Sequence, residues 1–466
     1  MEKIIPIVLV GILVLSGLGA GASYVQKSSM KQSVIFDEYD MVIIAPNKFS
    51  VNIQPLIDHK NSVGIQTFLK TTEEIYDEYT GRDEAEKIKY YIYESAENLG
   101  IEYVLLIGDI HTLPIRKTEV NHIWGSPGYH ILYQVDDIIT DLYYADIYTS
   151  DGSFSSWDSN NDNIFSEYYL YNEGETLEER VIVDEVDLYP DVGVGRIPCE
   201  TIDELDIVVH KIIAYETQDN NDYFSNIILA GCDGFPEPGY QCEMITERIS
   251  KIMTNFTQVK LYESMDALNP SSINREINNG AGFFICESHG SPYSFHDYLK
   301  NNIKQLHNNN KLPIVFLGGC YCACLDYSII CHFQMLLLAL CMKTINYPPL
   351  TLMISNLVHG FNSLNLNPKN IWPCIAWELL KHKDGGSVAT IGATRAGQVV
   401  RDDPPGGFTG LFSIKFFESY QPGITLSQMY NDAVTSFIDD SWKNVVTLQE
   451  YIFLGDPSLK IGGYLN

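Results

Sequence analysis

Two short apolar runs at a fixed separation constrain this chain more than any other feature. Gly282-Phe-Phe-Ile-Cys286 runs out into Glu287-Ser-His289-Gly290-Ser291-Pro292, and Pro313-Ile-Val-Phe-Leu317 runs out into Gly318-Gly319-Cys320. Continuous apolar runs of this length, bounded by Gly and Pro, read as buried strands of a parallel sheet. About thirty residues separate them, the length of one βαβ crossover. Such a unit brings both strand ends to one edge of the sheet, where open α/β folds build their sites. His289 and Cys320 both stand at that edge.

The same reasoning places strands at Met41–Ala45, Tyr103–Asp109, Asn226–Ala230 and Gly386–Ala393, and order returns at Asp191–Pro198. Helices are expected over roughly 50–62, 83–98 and 202–216. On the last of these, Leu205, Val208, Val209, Ile212 and Ile213 share one face. Strands alternating with helices imply an α/β fold with a mainly parallel sheet. Residues 116–180, rich in Asp, Asn, Tyr and Ser, read as loop. The polar run Gln218-Asp-Asn-Asn-Asp222 marks a boundary between two α/β subdomains, 39–218 and 219–466. A Leu/Ile/Asn-rich stretch at about 327–370 reads as an insertion in the second.

Thirty Lys and Arg against sixty Asp and Glu give a net charge of −30. Nucleic acid, whose phosphates need a basic face, is disfavoured as a partner. Basic substrates, a bound cation or simply an acidic solvated surface fit this balance. At the N-terminus, Ile4–Leu18 is almost wholly apolar and Gly19-Ala20-Gly21-Ala22 supplies small residues for cleavage. Residues 1–22 therefore read as a signal peptide and 23–38 as a short leader, which implies a secreted or cell-surface protein. The apolar run is shorter than the roughly twenty residues of a membrane span, so membrane contact is expected only if the segment stays uncleaved. Six of the ten cysteines fall between Cys320 and Cys374, and their pairing cannot be read from sequence. Cys320, Cys322 and Cys324 suggest a thiolate metal or redox site, but alternation points them apart and no CxxC or clustered His completes the set.

A thiol near its reference pKa is mostly protonated at neutral pH, so Cys320 needs a base to act as a nucleophile. His289 supplies one at the right spacing. Gly290 lets the backbone approach a ligand, and its N–H with that of Cys320 could form an oxyanion hole. The alternative for either residue alone is a buried Cys or a hydrogen-bonded His at a strand end; the pair with its glycines favours thiol-based hydrolysis. Asp233, after the Asn226 strand, could orient the imidazole, or serve only as the first half of an Asp-Gly turn. Glu243 could meet a substrate charge, or be an ordinary acid in a first helical turn. Asp158, Asn160, Asp162, the carbonyl of Ile164 and Glu167 have the alternate spacing of a Ca2+ loop, with Asn163 where such loops carry Gly. Asn/Asp-rich loops without metal have the same appearance.

Several stretches also resemble, in order, one known family. They are Met41-Val-Ile-Ile-Ala-Pro-Asn-Lys48, His59-Lys-Asn-Ser-Val-Gly-Ile65, Tyr103-Val-Leu-Leu-Ile-Gly-Asp109 and Val194-Gly-Arg196-Ile. His289-Gly290-Ser291, Phe316-Leu-Gly-Gly-Cys320 and Phe453-Leu-Gly-Asp-Pro-Ser-Leu459 follow. Together they are similar to the gingipain family of caspase-like cysteine peptidases. The resemblance implies a three-layer caspase-like α/β sandwich and an endopeptidase acting on proteins or peptides without an organic cofactor. His289 would be its general base and acid, and Cys320 its nucleophile. Asp233 falls where the family carries a catalytic Glu. Glu243 falls near the acid that lines the first specificity pocket of arginine-cleaving members, which implies basic residues before the scissile bond. The insertion after Asp326 departs from the family pattern. A catalytically inactive calcium-binding surface module of the same fold is the alternative.

Overall fold

The strand at Met41–Ala45 is buried along its whole length and sits between two parallel neighbours, which is why its five residues can all be apolar. It belongs to a ten-stranded sheet in the computed structural model, which describes residues 38–126, 129–173, 176–184, 186–218, 222–232, 241–326, 373–397, 407–441 and 444–464. The segment read as a signal peptide, Asp233 and the stretch at 327–370 read as an insertion lie outside the described residues. In chain order the strands are β1 (Met41–Ala45), β2 (Thr67–Thr71), β3 (Tyr103–Ile107), β4 (Gly193–Ile197) and β5 (Asn226–Gly231). Then come β6 (Thr257–Tyr262), β7 (Phe283–Glu287), β8 (Ile314–Leu317), β9 (Ala389–Ala393) and β10 (Tyr451–Leu454). Their order across the sheet is β6-β5-β7-β8-β9-β10-β4-β3-β1-β2.

Every neighbouring pair is parallel except β9 with β10. One section, β5 to β9, therefore runs opposite to the other, β1 to β4 with β10. The C-terminal strand ends of the two sections emerge on opposite edges. Helices flank the sheet: 50–62 packs on 202–217, and 407–418 packs on both 241–252 and 426–441. Local signals set their ends. Thr201 and Glu204 form a capping box, and Asn269 caps a helix that has Pro270 in its first turn. This is a caspase-like α/β sandwich with a mainly parallel central sheet.

The region expected to be loop holds a second, four-stranded sheet. Its strands are Arg116–Ser126, Tyr129–Thr140, Tyr168–Glu173 and Thr176–Ile182. Polar residues there alternate with Thr, Val, Ile and Tyr, a period-2 pattern that composition alone hides. Ile213 is only half-buried, while Leu205, Val208, Val209 and Ile212 are buried as expected.

Two buried ionic clusters lock the section that holds β1 to β4. The fully buried Arg196 guanidinium of β4 donates from Nε and Nη2 to Asp141, at 2.7 Å each, and from Nη1 to the Leu113 carbonyl. Lys60 Nζ lies 2.8 Å from Glu216 and 2.6 Å from Asp456, and His59 Nε2 lies 2.7 Å from Glu216. Three of the resemblance motifs thereby acquire a physical role: Lys60, Arg196 and Asp456 tie distant segments together. Lys211 is also buried, its Nζ donating to the carbonyls of Leu380 and Gly385 at 2.7 Å each, and burial with no counter-charge among the described residues disfavours its cation.

Candidate active site

Strand β7 pairs with β8 in the register Phe283 to Ile314 through Cys286 to Leu317. Carried past the strand ends, that offset sets His289 level with Cys320. The glycines show how closely the two chains pass there. A Cβ on Gly290 would lie 2.6 Å from Cys322 Sγ and 2.7 Å from the Cys320 carbonyl oxygen. A Cβ on Gly319 would lie 2.9 Å from Gly290 Cα and 3.0 Å from its amide nitrogen. No side chain fits at either position, so the backbones of the two motifs lie in direct contact.

Each motif is held from outside. Past His289 the chain folds into a small antiparallel sheet of 290–291, 294–295 and 298–299. The His296 N–H donates to the His289 carbonyl at 2.8 Å, and Ser288 Oγ donates to it at 3.0 Å. On the thiol side, Tyr321 adopts the left-handed conformation at φ 58°, turning the chain sharply after Cys320. Its N–H donates to the Arg395 carbonyl, and that of Ala323 to the Ala393 carbonyl, each at 2.9 Å. Arg395 also grips Asp326 through two parallel bonds of 2.9 and 2.7 Å. The segment after β9 thus pins the turn that carries Cys320.

Cys320 is half-buried, and burial pushes its thiol up to about 11. The N–H of Gly397 stabilises the thiolate, and the charge of Glu450 opposes it. A protonated resting thiol is the consequence, and activation requires a base. Glu287, the last residue of β7, is buried beneath the turn. Burial raises its carboxyl to about 7, and Oε1 has no hydrogen-bond partner among the described residues. A Cβ on Gly318 would strike this carboxyl group, so that glycine too is dictated by its neighbour.

The other residues singled out from sequence are placed as follows. Glu243 is buried in the first turn of helix 241–252, and its carboxylate accepts from Ser264 N–H at 2.8 Å and from Ser264 Oγ at 2.6 Å. Cys322 Sγ donates to the Ser294 carbonyl, and Cys324 Sγ to Asp326. The three neighbouring thiols therefore face different partners, and the eight described cysteines are all free. In the Asp158 loop, one Asp158 oxygen accepts from the Asp162 N–H, while the other accepts from the Asn163 N–H and pairs with Arg82. Asn160 Oδ1 accepts from the Asp162 N–H, Asp162 Oδ1 from the Ile164 N–H, and Glu167 Oε1 from Tyr169. These oxygens do not fit a Ca2+ ion as arranged, since Arg82 already supplies Asp158 with a cation. Among the described residues no three His, Cys, Asp or Glu side chains gather in a metal-holding group.

Sequence reasoning missed Cys232, Cys242 and His296. The Sγ atoms of Cys232 and Cys242 are 3.7 Å apart, and the imidazole of the buried His296 favours the Cys232 thiolate. The one sequence signal was Cys232 itself, at the end of a strand beside β7.

The β7–β8 offset thus brings a thiol and an imidazole level at adjacent strand ends of a caspase-like α/β sheet. The profile of peptidase family C25 matches residues 36–462, and the chain belongs to that family, the gingipain family of cysteine peptidases. Gingipain R2 of Porphyromonas gingivalis (strain ATCC BAA-308 / W83) is 25% identical over 312 residues, which cover 64% of this chain and 34% of that protein. Gingipain R1 of Porphyromonas gingivalis is 24% identical over 312 residues, covering 64% and 25%. The chain therefore spans about a third or less of the length of these curated relatives. The crystal structure of the Arg specific cysteine proteinase gingipain R shares the fold with a TM-score of 0.60 and 20% identity, covering 91% of this chain and 78% of that one. Among the described residues no helix is long and apolar enough to cross a membrane.

Proposed function

We propose that this chain is an exported cysteine endopeptidase acting on protein or peptide substrates. The observation that carries the reading is the β7–β8 register, an offset that matches His289 to Cys320, together with the close approach of Gly290 to Gly319 and Cys320. His289 takes the Cys320 proton as the sulfur attacks the peptide carbonyl, and returns it to the leaving amine as the C–N bond breaks. Water, deprotonated by the same imidazole, then hydrolyses the thioester and releases the acid and the thiol. The amides of Gly290 and Cys320 are the donors for the oxyanion. Arg or Lys before the scissile bond is the specificity we infer, supported by the net charge of −30 and by the Arg-specific relative of known structure. Asp233 is the residue we assign to orient His289. Export rests on the apolar segment Ile4–Leu18.

Purified full-length protein assayed on peptides with Arg or Lys before the cleaved bond tests this reading. Cys320→Ala and His289→Ala are each expected to lower kcat/KM by at least a thousandfold, with Cys232→Ala retaining activity. Cleavage that survives Cys320→Ala removes Cys320 as the nucleophile. A parent protein inert on a broad peptide library would be a binding module of the same fold.

A further inference from the structure

Three groups that the proteolytic reading does not use converge one strand away from Cys320. Cys232 directly follows β5, buried, and its N–H donates to the Glu287 carbonyl at 3.2 Å. Cys242 is half-buried in the first turn of helix 241–252, whose backbone closes over the same strand end. A Cβ on Gly231 would lie 2.9 Å from Glu243 Cα and 3.1 Å from the Cys242 carbonyl carbon. Cys232 therefore lies at the positive end of a helix dipole, an environment that favours thiolate. His296 approaches from the hairpin after His289, buried and held in the left-handed conformation at φ 45°. Backbone strain of this kind in a residue other than Gly is kept only where the surroundings fix it.

We propose that Cys232 and Cys242 form a redox-active dithiol that hydroperoxides oxidise to a disulfide, with the His296 imidazole holding the reacting sulfur. The Cys232 thiolate attacks one peroxide oxygen and the O–O bond breaks. Cys232 becomes a sulfenic acid, and the departing hydroxide takes the His296 proton to leave as water. The Cys242 sulfur then displaces the sulfenic hydroxyl: the S–S bond forms, the S–O bond breaks, and the Cys242 proton leaves with the hydroxyl as water. Two thiols are oxidised by two electrons, and one hydroperoxide is reduced to water and, for an alkyl hydroperoxide, an alcohol. The 3.7 Å between the sulfurs must close to about 2.05 Å for the bond to form.

The electrostatics single out the same sulfur. The Cys242 thiol, hydrogen-bonded to Cys232, lowers the Cys232 pKa to about 6; burial opposes this, and the imidazoles of His296 and His289 reinforce it. His296 is disfavoured as a cation by its burial, but Cys232, Asp297 and Glu263 outweigh that and raise its pKa. Cys242 is pushed up by Cys232, by burial, and by Glu287 and Cys286. Burial raises the thiols of Cys286, Cys320, Cys322 and Cys324. Cys232 is held below the ordinary cysteine value while the thiols around it are pushed above theirs, so it is the sulfur in this group that most favours thiolate. Cys232 is thus placed to consume oxidant before Cys320 does.

The test treats the reduced full-length protein with one equivalent of hydrogen peroxide at pH 7, blocks the remaining thiols by alkylation, and maps the peptides by mass. The expected result is a crosslinked pair of peptides containing Cys232 and Cys242, with Cys320 still alkylatable. His296→Asn, chosen because Asn tolerates the left-handed backbone, is expected to slow crosslinking several-fold at pH 7, with the difference vanishing above pH 9. Cys242→Ser should leave Cys232 as a sulfenic acid, captured by a 1,3-diketone probe. Cys320→Ala should crosslink like the parent, so failure of the peptidase assignment leaves this one standing. Both sulfurs remaining alkylatable while Cys320 oxidises would overturn the proposal, as would an unchanged rate in His296→Asn from pH 6 to 9.

Discussion

Replacing Lys60 with Met should cost about 3–5 kcal/mol of folding stability, because it strips the cation from a buried ionic cluster and leaves the anions behind. The Lys60 side chain is fully enclosed and lies within 2.8 Å of Glu216 and 2.6 Å of Asp456. Burial opposes charge on Lys60, but Asp456 and Glu216 outweigh it and hold the ammonium above its ordinary range. Glu216 is likewise disfavoured as an anion by burial, yet Lys60 and His59 hold its carboxyl below its usual value. The signs follow. Lowered Glu216 contributes stability above about pH 4.5 that is lost as pH falls through its folded value. Raised Lys60 contributes stability below about pH 10.5 that is lost as pH rises. In Lys60→Met, Glu216 loses the cation that holds its carboxyl down, so acid should narrow the deficit by protonating it. Guanidinium unfolding followed by tryptophan fluorescence at pH 8 and pH 5.5 measures both terms. A penalty under about 1 kcal/mol, or one that grows on acidification, would refute the reasoning. Adding Asp456→Asn to Lys60→Met should restore part of the loss.

Gly318→Ala should destabilise the fold by about 1–3 kcal/mol, by driving a methyl into the Glu287 carboxyl, and Glu287→Ala should relieve it in the double variant; thermal unfolding of both reads this. Glu287 itself, raised to about 7 by burial, favours the folded state most at low pH and costs about 3 kcal/mol as pH climbs from about 4.5 to 7. Glu287→Gln should therefore flatten the fall in stability across that window, as urea titrations from pH 4.5 to 8 would show. Calcium at the Asp158 loop must displace Arg82 from Asp158. Millimolar calcium should accordingly raise the Tm of Arg82→Ala by several degrees more than that of the parent, and equal shifts would place any calcium elsewhere.

The site was legible where it depended on continuous apolar strands and illegible where it depended on loops. His289 and Cys320 could be paired because β7 and β8 are unbroken buried runs, and a fixed offset between parallel strands survives into the turns that follow. Cys232 and His296 could not, because His296 lies in a hairpin whose register no apolar pattern sets. Strand β2, Thr67-Phe-Leu-Lys-Thr71, was passed over for a related reason: it is an edge strand, half-buried for most of its length, with too few apolar residues to stand out. Arg395 and Asp326, which brace the turn that carries Cys320, are an ordinary charged pair in sequence, and only the fold brings them together. The buried ion pairs of Lys60 and Arg196 lie in stretches already quoted as family motifs. What sequence did not reveal was that their shared property is burial of a cation.

The position of β10 has a consequence for how the chain is made. It is the last strand of the sheet in sequence, yet it sits in the middle, antiparallel to β9 and parallel to β4 through the pair Leu454 and Arg196. During synthesis β1 to β4 can assemble as one sheet and β5 to β9 as another, each with an open edge where β10 will later lie. Those edges present unpaired backbone groups of the kind that nucleate aggregation. The ribosome must deliver residues 451–454 before either edge is closed. A nascent chain stalled just short of that segment should therefore be the species that chaperones hold longest.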